Sequence, residues 1–243
     1  MFGADPRGPL LAEGLYRTGH RMRGTTAPVP PTCRSARRCR GTGRHNPTME
    51  PITLRTDRLL LRPFAAQDVA AVAAACDDPD IQRFVPVPEP YPLQDAEEFV
   101  HVTSPAGWRD DTAYNFGVFT HGGELVGSMG LTRLAHLRTA ERQAELGFWT
   151  ARDRRRKGYT AEAGRAVADW AFTSLGVERL EWVAQVENAG SRAVALRIGF
   201  VEEGIQRARI VHRGTRRDAR IAALLPSDWG RRLETPYLPS PTV

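Results

Sequence analysis

Two short stretches of the chain hold the residue types from which a chemical site can be made. In AELGFWT (144–150) the residues alternate, so Glu145, Gly147 and Trp149 share one face of a strand and Ala144, Leu146 and Phe148 the other. A carboxylate beside a position without a side chain leaves room for a ligand; the plainer reading of the same pattern is a bulge at Gly147 with Glu145 in solvent. Directly afterwards Arg154, Arg155, Arg156 and Lys157 crowd a loop that Gly158 can fold tightly, and a helix begins near Thr160. Its buried stripe is Ala163, Val167, Trp170 and Ala171, with Gly176 as the stop. Strand, basic glycine-bearing loop and helix N-terminus together make an anion site, because free backbone N–H groups and the helix dipole converge there. A diphosphate is the natural occupant, and a solvated Arg-rich turn is the rival reading. The single glycine excludes the G-x-G-x-x-G fingerprint, and Gly-Lys-Ser/Thr is absent.

A second strand-to-helix unit follows. ERLEWVAQVENAG places Leu180, Trp182, Ala184 and Val186 on one face and runs into Asn188; Ser191 then starts a short helix, SRAVALRI, closed by Gly199. Two adjacent strands that each lead into a helix would let a nucleotide-bearing chain thread between them.

The elements that must position these stretches alternate between strand-like and helix-like runs, which predicts an α/β class. ITLRTDRLLLRPF reads as one strand, Ala65 to Ala75 as a helix ending in a turn at Asp77 to Asp80, and Leu93 to Val102 as a short helix with acidic first turns. YNFGVFTHGGELVGSMGLTRL has the form of a hairpin through His121-Gly122-Gly123. FVEEGIQRARIVHRGTRRDARIAALLPSDW reads as two more strands joined at His212-Arg213-Gly214, with His212 in solvent, and the Pro-rich tail 234–243 as disordered.

With 243 residues, 41% of them hydrophobic and 26% charged, the chain can bury one sizeable core, which excludes fibrous and disulfide-stapled classes. No apolar stretch reaches the roughly 20 residues a membrane span needs and no secretory signal opens the chain, so a cytoplasmic protein without membrane contact is the default expectation. The net charge of +6 is local. Residues 1–48 carry nine Arg against Asp5 and Glu13, whereas 49–243 hold 25 basic and 26 acidic side chains. We read 1–48 as a disordered Arg-rich extension, either a mis-assigned upstream start ending before Met49 or a basic arm for RNA or ribosome contact. The arm lacks interleaved aromatics, which disfavours a nucleic-acid partner. Cys33, Cys39 and Cys76 form no CxxC pair, and Cys33, Cys39 and His45 have the wrong spacing for zinc, so no metal site is expected.

The run RRRKGYTAEA, preceded by AELGFWT and followed by ENAGSRAVALRIGFVEEG, resembles the GNAT superfamily of acetyl-CoA-dependent N-acetyltransferases. Within it the chain looks closest to the RimJ/RimL-type branch that acetylates ribosomal-protein N-termini, and the similarity spans about Thr53 to Trp229. The resemblance implies a GNAT domain over 49–233: a mixed, mostly antiparallel sheet of about seven strands, splayed at two central strands and flanked by about four helices. Acetyl-CoA is the implied co-substrate and an amine the implied acceptor; a homodimer is compatible. The family's phosphate-loop pattern, Arg/Gln-x-x-Gly-x-Gly/Ala, is matched by Arg155, Gly158 and Thr160. This implies that the amides from Arg155 through Tyr159 to Thr160 hold the pyrophosphate, with Arg156 or Lys157 adding charge. Arg156 stands where the branch commonly has Gly, and Thr160 would either crowd the pyrophosphate or cap the helix. The strand bearing Phe148 and Trp149 would pair with the pantetheine arm, and Asn188 and Ser191 match an Asn-x-x-Ser motif near the thiol. Ala195 falls where many members carry a Tyr proton donor.

The chemistry sets its own demands. A protonated amine cannot attack a thioester, and an α-amino group, with a pKa of about 8, asks less of a base than a Lys side chain at about 10.4. Glu145, acting through water, is the candidate base. Ser191 is the candidate for the leaving group, with a simple N-cap as its competing role. An acyl-CoA-binding domain without turnover and an RNA-associated protein acting through 1–48 are the alternatives.

Overall fold

A computed structural model describes residues 49–240. The Arg-rich extension, with Cys33, Cys39 and His45, lies outside the described residues. Eight strands form one sheet: β1 Leu54–Arg55, β2 Leu59–Arg62, β3 Tyr114–Thr120, β4 Leu125–Thr132, β5 Gln143–Thr150, β6 Arg179–Gln185, β7 Val201–His212 and β8 Thr215–Leu224, in the order β1-β2-β3-β4-β5-β6-β8-β7. Only β5 and β6 are parallel neighbours. The α-helices are α1 Val69–Cys76, α2 Pro79–Phe84, α3 Leu93–Glu98, α4 Ser104–Arg109, α5 Tyr159–Thr173 and α6 Ala189–Ile198. None is long and apolar enough to cross a membrane.

The mixed, mostly antiparallel class is the expected one, but the described residues hold eight strands and six α-helices where about seven and four were expected. The leading strand divides because Thr56 folds it back: its hydroxyl accepts the Leu59 N–H at 3.0 Å and its own N–H reaches Leu59 O at 3.0 Å, pairing β1 with β2. The expected turn at Asp77 to Asp80 opens into α2, where Asp78 accepts the Asp80 N–H at 3.1 Å and Pro79 takes the first helical position. The helix expected to end at Val102 continues through a π turn, Phe99–Thr103, into α4.

Between β5 and β6 the sheet forks. They pair only at Gln143↔Arg179, Ala144↔Leu180 and Glu145↔Glu181. Beyond that rung β5 stays with β4 through Gly127↔Thr150, while β6 stays with β8 through Gln185↔Ala219. Each arm is held by its outer neighbour, so the inner edges part. The β4 ladder runs unbroken through Gly130↔Gly147, so Gly147 is not a bulge.

Strand alternation sorts side chains into two cores. Ala144, Leu146, Leu180 and Trp182 pack with Ala163, Val167, Trp170 and Ala171 of α5. Trp149 packs on the opposite side with Phe64, Val72 of α1, Ile81 of α2, Phe99 and Phe119. One face of the fork is therefore closed by α5 and α6, and the other by α1 to α3. Glu234 and Thr235, at the start of the Pro-rich tail, donate their N–H groups to Glu178 at 2.7 and 2.8 Å.

Candidate active site

The loop after β5 is folded by two left-handed residues, Arg156 (φ 62) and Gly158 (φ 79). Glycine takes this conformation without steric cost, while arginine pays roughly 1–2 kcal/mol. Among the described residues the N–H groups of 155–158 reach no backbone carbonyl, and the first N–H groups of α5 have no partner inside the helix. These amides belong to the turn that leads directly into the positive end of α5. Gly158 is the helix cap, and the Thr160 hydroxyl bonds Thr150 Oγ1 at 2.7 Å, so Thr160 is not the cap and its hydroxyl is engaged with β5.

Arg58 and Glu162 brace the loop from behind. Arg58 donates to Lys157 O at 3.1 Å and to Glu162 Oε2 at 2.6 Å, and its guanidinium lies 4.7 Å from the Tyr159 ring centroid. Burial pushes the Glu162 carboxyl up, but hydrogen bonds from Thr56 and Arg58 hold it below the ordinary value. Arg154 makes a two-pronged pair with Glu124 at 2.9 Å. Arg155 bonds Thr150 O at 3.1 Å, Asp80 at 2.9 Å and the buried Asp78, so its side chain anchors α2. Arg156 and Lys157 have no acidic partner among the described residues.

A cleft of about 800 Å³ follows the fork. Of the sequence-derived residues, Phe148, Trp149, Arg155, Arg156, Gly158, Thr160, Asn188 and Ser191 line it. Lys157 does not: it faces an adjoining cleft of about 1200 Å³ on the other side of Gly158. Tyr159 does not either, because its ring packs under Arg58 and against the core. Trp149 Nε1 is buried and has no partner among the described residues, a donor awaiting an acceptor. The N-cap of α6 is Asn188, whose Oδ1 accepts the Ser191 N–H at 3.0 Å. Ser191 is thus inside the helix; its Oγ accepts from Trp182 Nε1 at 3.0 Å, and its own proton remains for an acceptor in the cleft. Ala195 is core, 1% exposed.

Glu145 lies outside the cleft lining, on the last paired rung where the arms separate. Its side chain is 24% exposed and 3.6 Å from Arg133 Nη1. Burial pushes the carboxyl up and Glu181 adds to this, while Arg133 and Arg209 draw it back without cancelling the rise. Across this face the tip of the β7–β8 hairpin docks on α2: Arg213 donates to Gln82 O at 3.1 Å and pairs with Glu89. His212, expected in solvent, is partly buried, with Nε2 covered. The sequence reading missed α2 and this contact, although Asp78-Pro79 is a helix-start signature that could have marked the first.

A family profile for the acetyltransferase (GNAT) domain matches residues 58–201. The uncharacterized N-acetyltransferase YoaA of Bacillus subtilis is 28% identical over 178 residues, covering 73% of this chain and 98% of that one. Among solved structures, a GNAT-family acetyltransferase from Bacillus anthracis superposes with a TM-score of 0.63 at 27% identity, covering 72% of this chain and 99% of the other. Mycobacterium smegmatis RimJ, in complex with CoA-disulfide, gives 0.64 at 25% identity, over 73% and 88%. Since the matched stretch runs through the whole fork and the loop that closes it, the chain belongs to the GNAT N-acetyltransferases.

Proposed function

We propose that this enzyme takes the acetyl group of acetyl-CoA and transfers it by direct attack to a primary amine, on a protein N-terminus or a small molecule, as a member of the RimJ/RimL-type branch. The observation that carries the reading is the fork, with unpartnered amides and Arg156 at its wide end and a buried-side carboxylate, Glu145, where it closes. The residues present fit the coenzyme. The cleft has the size of a cofactor site, the amides of 155–160 and the start of α5 suit a diphosphate, and the inner edge of β5 beyond Glu145 is free to pair with an amide-bearing arm. Trp149 Nε1 adds one more buried donor. Bound acetyl-CoA supplies the activated acyl thioester.

Glu145 acts on the acceptor. Removing a proton from an α-amino group needs only a modest base, and a carboxyl pushed upward by burial is better matched to that proton than an ordinary one. Because Glu145 stands outside the cleft lining, it works through a water. Ser191, its oxygen held by Trp182, keeps a proton free to polarise the departing sulfur. Thiol release from acetyl-CoA across a panel of peptides and small amines tests the reading, and acceptor-dependent turnover is expected. Coenzyme binding by calorimetry with no turnover on any acceptor would leave a binding domain instead.

A further inference from the structure

We infer that the acceptor carries a carboxylate close to its amine, and that Arg209 is the residue that recognises it. The inference rests on the acetyl transfer proposed above and identifies the substrate class for that site.

The outer hairpin of the sheet holds an irregularity. Between Gln206↔Ala219 and Ile210↔Arg217, β7 places residues 207–209 opposite Asp218 alone. Within this bulge Ala208 takes φ 55, a left-handed conformation that alanine rarely adopts. Two bonds from β8 pin it: Ala208 N–H donates to Asp218 Oδ1 at 2.8 Å, and Arg216 donates to Ala208 O at 2.9 Å. The backbone O of Asp218 accepts the Val186 N–H at 3.1 Å, so the bulge is fastened to the end of the β6 arm. A bulge re-aims the side chains around it, and a strained residue held by specific bonds is a common feature of functional sites.

The side chain so placed is Arg209. It is partly buried, whereas Arg207 on the same bulge is exposed. Its charge reaches Glu145, yet among the described residues it makes no hydrogen bond or ion pair. By contrast, Arg133 is engaged with Glu145 at 3.6 Å, Arg179 with Glu181 at 3.2 Å and Glu203 at 2.6 Å, and Arg213 with Glu89. Gln185 at the end of β6 is 7% exposed, and its Nε2 has no partner among the described residues. A partly buried guanidinium that no carboxylate contacts directly is costly in the free protein, and the planar guanidinium fork matches a carboxylate. Since the amine must approach Glu145, the anion that satisfies Arg209 belongs to the same end of the acceptor. Two sources share this chemistry: a free α-amino acid, and a peptide with an acidic residue in its second position.

The experiment compares kcat/KM for matched acceptors. One pair is an amino acid and its carboxamide; the other is a peptide beginning Ser-Asp and one beginning Ser-Asn. The wild-type enzyme is expected to favour the carboxylate member of at least one pair by about tenfold or more, the scale of one charge-assisted hydrogen bond; the responding pair identifies the source. Arg209→Gln should bring that ratio to within about twofold of unity, Arg209→Lys should keep part of it, and Arg207→Gln should leave it in place. Equal rates within both pairs, or a preference that survives Arg209→Gln, would overturn the inference while acetyl transfer stands. Absence of thiol release with every acceptor would instead bring down the transfer reading, and this inference with it.

Discussion

The two ends of the fork, one proposed to hold the diphosphate and the other the acceptor, are made in different ways. At the phosphate end, the turn from Thr150 to Ala161 supplies the amides, the left-handed residues and the helix start from one contiguous run, and Arg58 and Glu162 only brace it. The acceptor end is assembled from α2, Arg133 after β4, Glu145 on β5, the end of β6 and the β7–β8 hairpin; its tie from Arg213 to Gln82 spans 131 positions. Helix-terminus geometry is a local property of the backbone, so a dozen residues can specify it. An arrangement of side chains drawn from distant segments depends on the whole sheet. Arg155 belongs to both ends: it lies in the loop, but its guanidinium holds α2.

The strongest challenge to this division is Glu145→Gln, which should cut kcat about 10²- to 10³-fold, the scale of a general base, while leaving the Kd for coenzyme A unchanged in calorimetry. The base works deprotonated, so wild-type activity should fall as pH drops through the Glu145 pKa. Burial raises that value, so the fall should come at higher pH than for an ordinary carboxylate, and the limb should vanish in the variant. A coenzyme-binding defect instead would move Glu145 to the other end of the fork.

Next in size is Gly158→Ala. A side chain at φ 79 costs roughly 1–2 kcal/mol, which should appear as a rise of about tenfold in the coenzyme Kd with kcat at saturation nearly unaffected. Arg156 and Arg155 sharpen the contrast between the two ends. Arg156→Gln should weaken coenzyme binding about fivefold without changing Tm, because its charge has no partner among the described residues. Arg155→Gln leaves Asp78 buried and unpaired, a loss of about 1–2 kcal/mol once the 29% exposure of the arginine is allowed for. Thermal unfolding should then start about 3–6 °C lower. Reversed outcomes would mean that the assignment of the two arginines is wrong.

Ser191→Ala is the smallest. It removes the acceptor of the Trp182 indole N–H, worth about 1 kcal/mol of stability, and should slow turnover by less than about tenfold. An unchanged kcat would leave Ser191 with a packing role alone.

The primary structure carried whatever depends on short-range order. The alternation in 144–150 sends Trp149 and Leu146 to opposite cores. Gly158 can turn left-handed where its neighbours resist, and the apolar stripe of α5 lands in the core as its spacing requires. Asn188 and Ser191 were visible too, but their relation was not, since Asn188 and not Ser191 caps α6. The β1–β2 turn, the six-residue α2 and the π turn escaped notice because elements of that length have no periodicity of their own.

Folding in three dimensions settled how charge is shared. Four consecutive cations look equivalent along the chain, yet Arg154 and Arg155 are neutralised by Glu124, Asp78 and Asp80 from distant segments, leaving Arg156 and Lys157 unpaired among the described residues, and of these only Arg156 lines the cleft of the fork. The basicity of Glu145 has the same origin, since burial against two strands and the charges of Arg133, Glu181 and Arg209 set it jointly. Backbone preference acts over a few residues and can be read from them. Desolvation and ion pairing act through space, and they exist only once the sheet has brought the partners together.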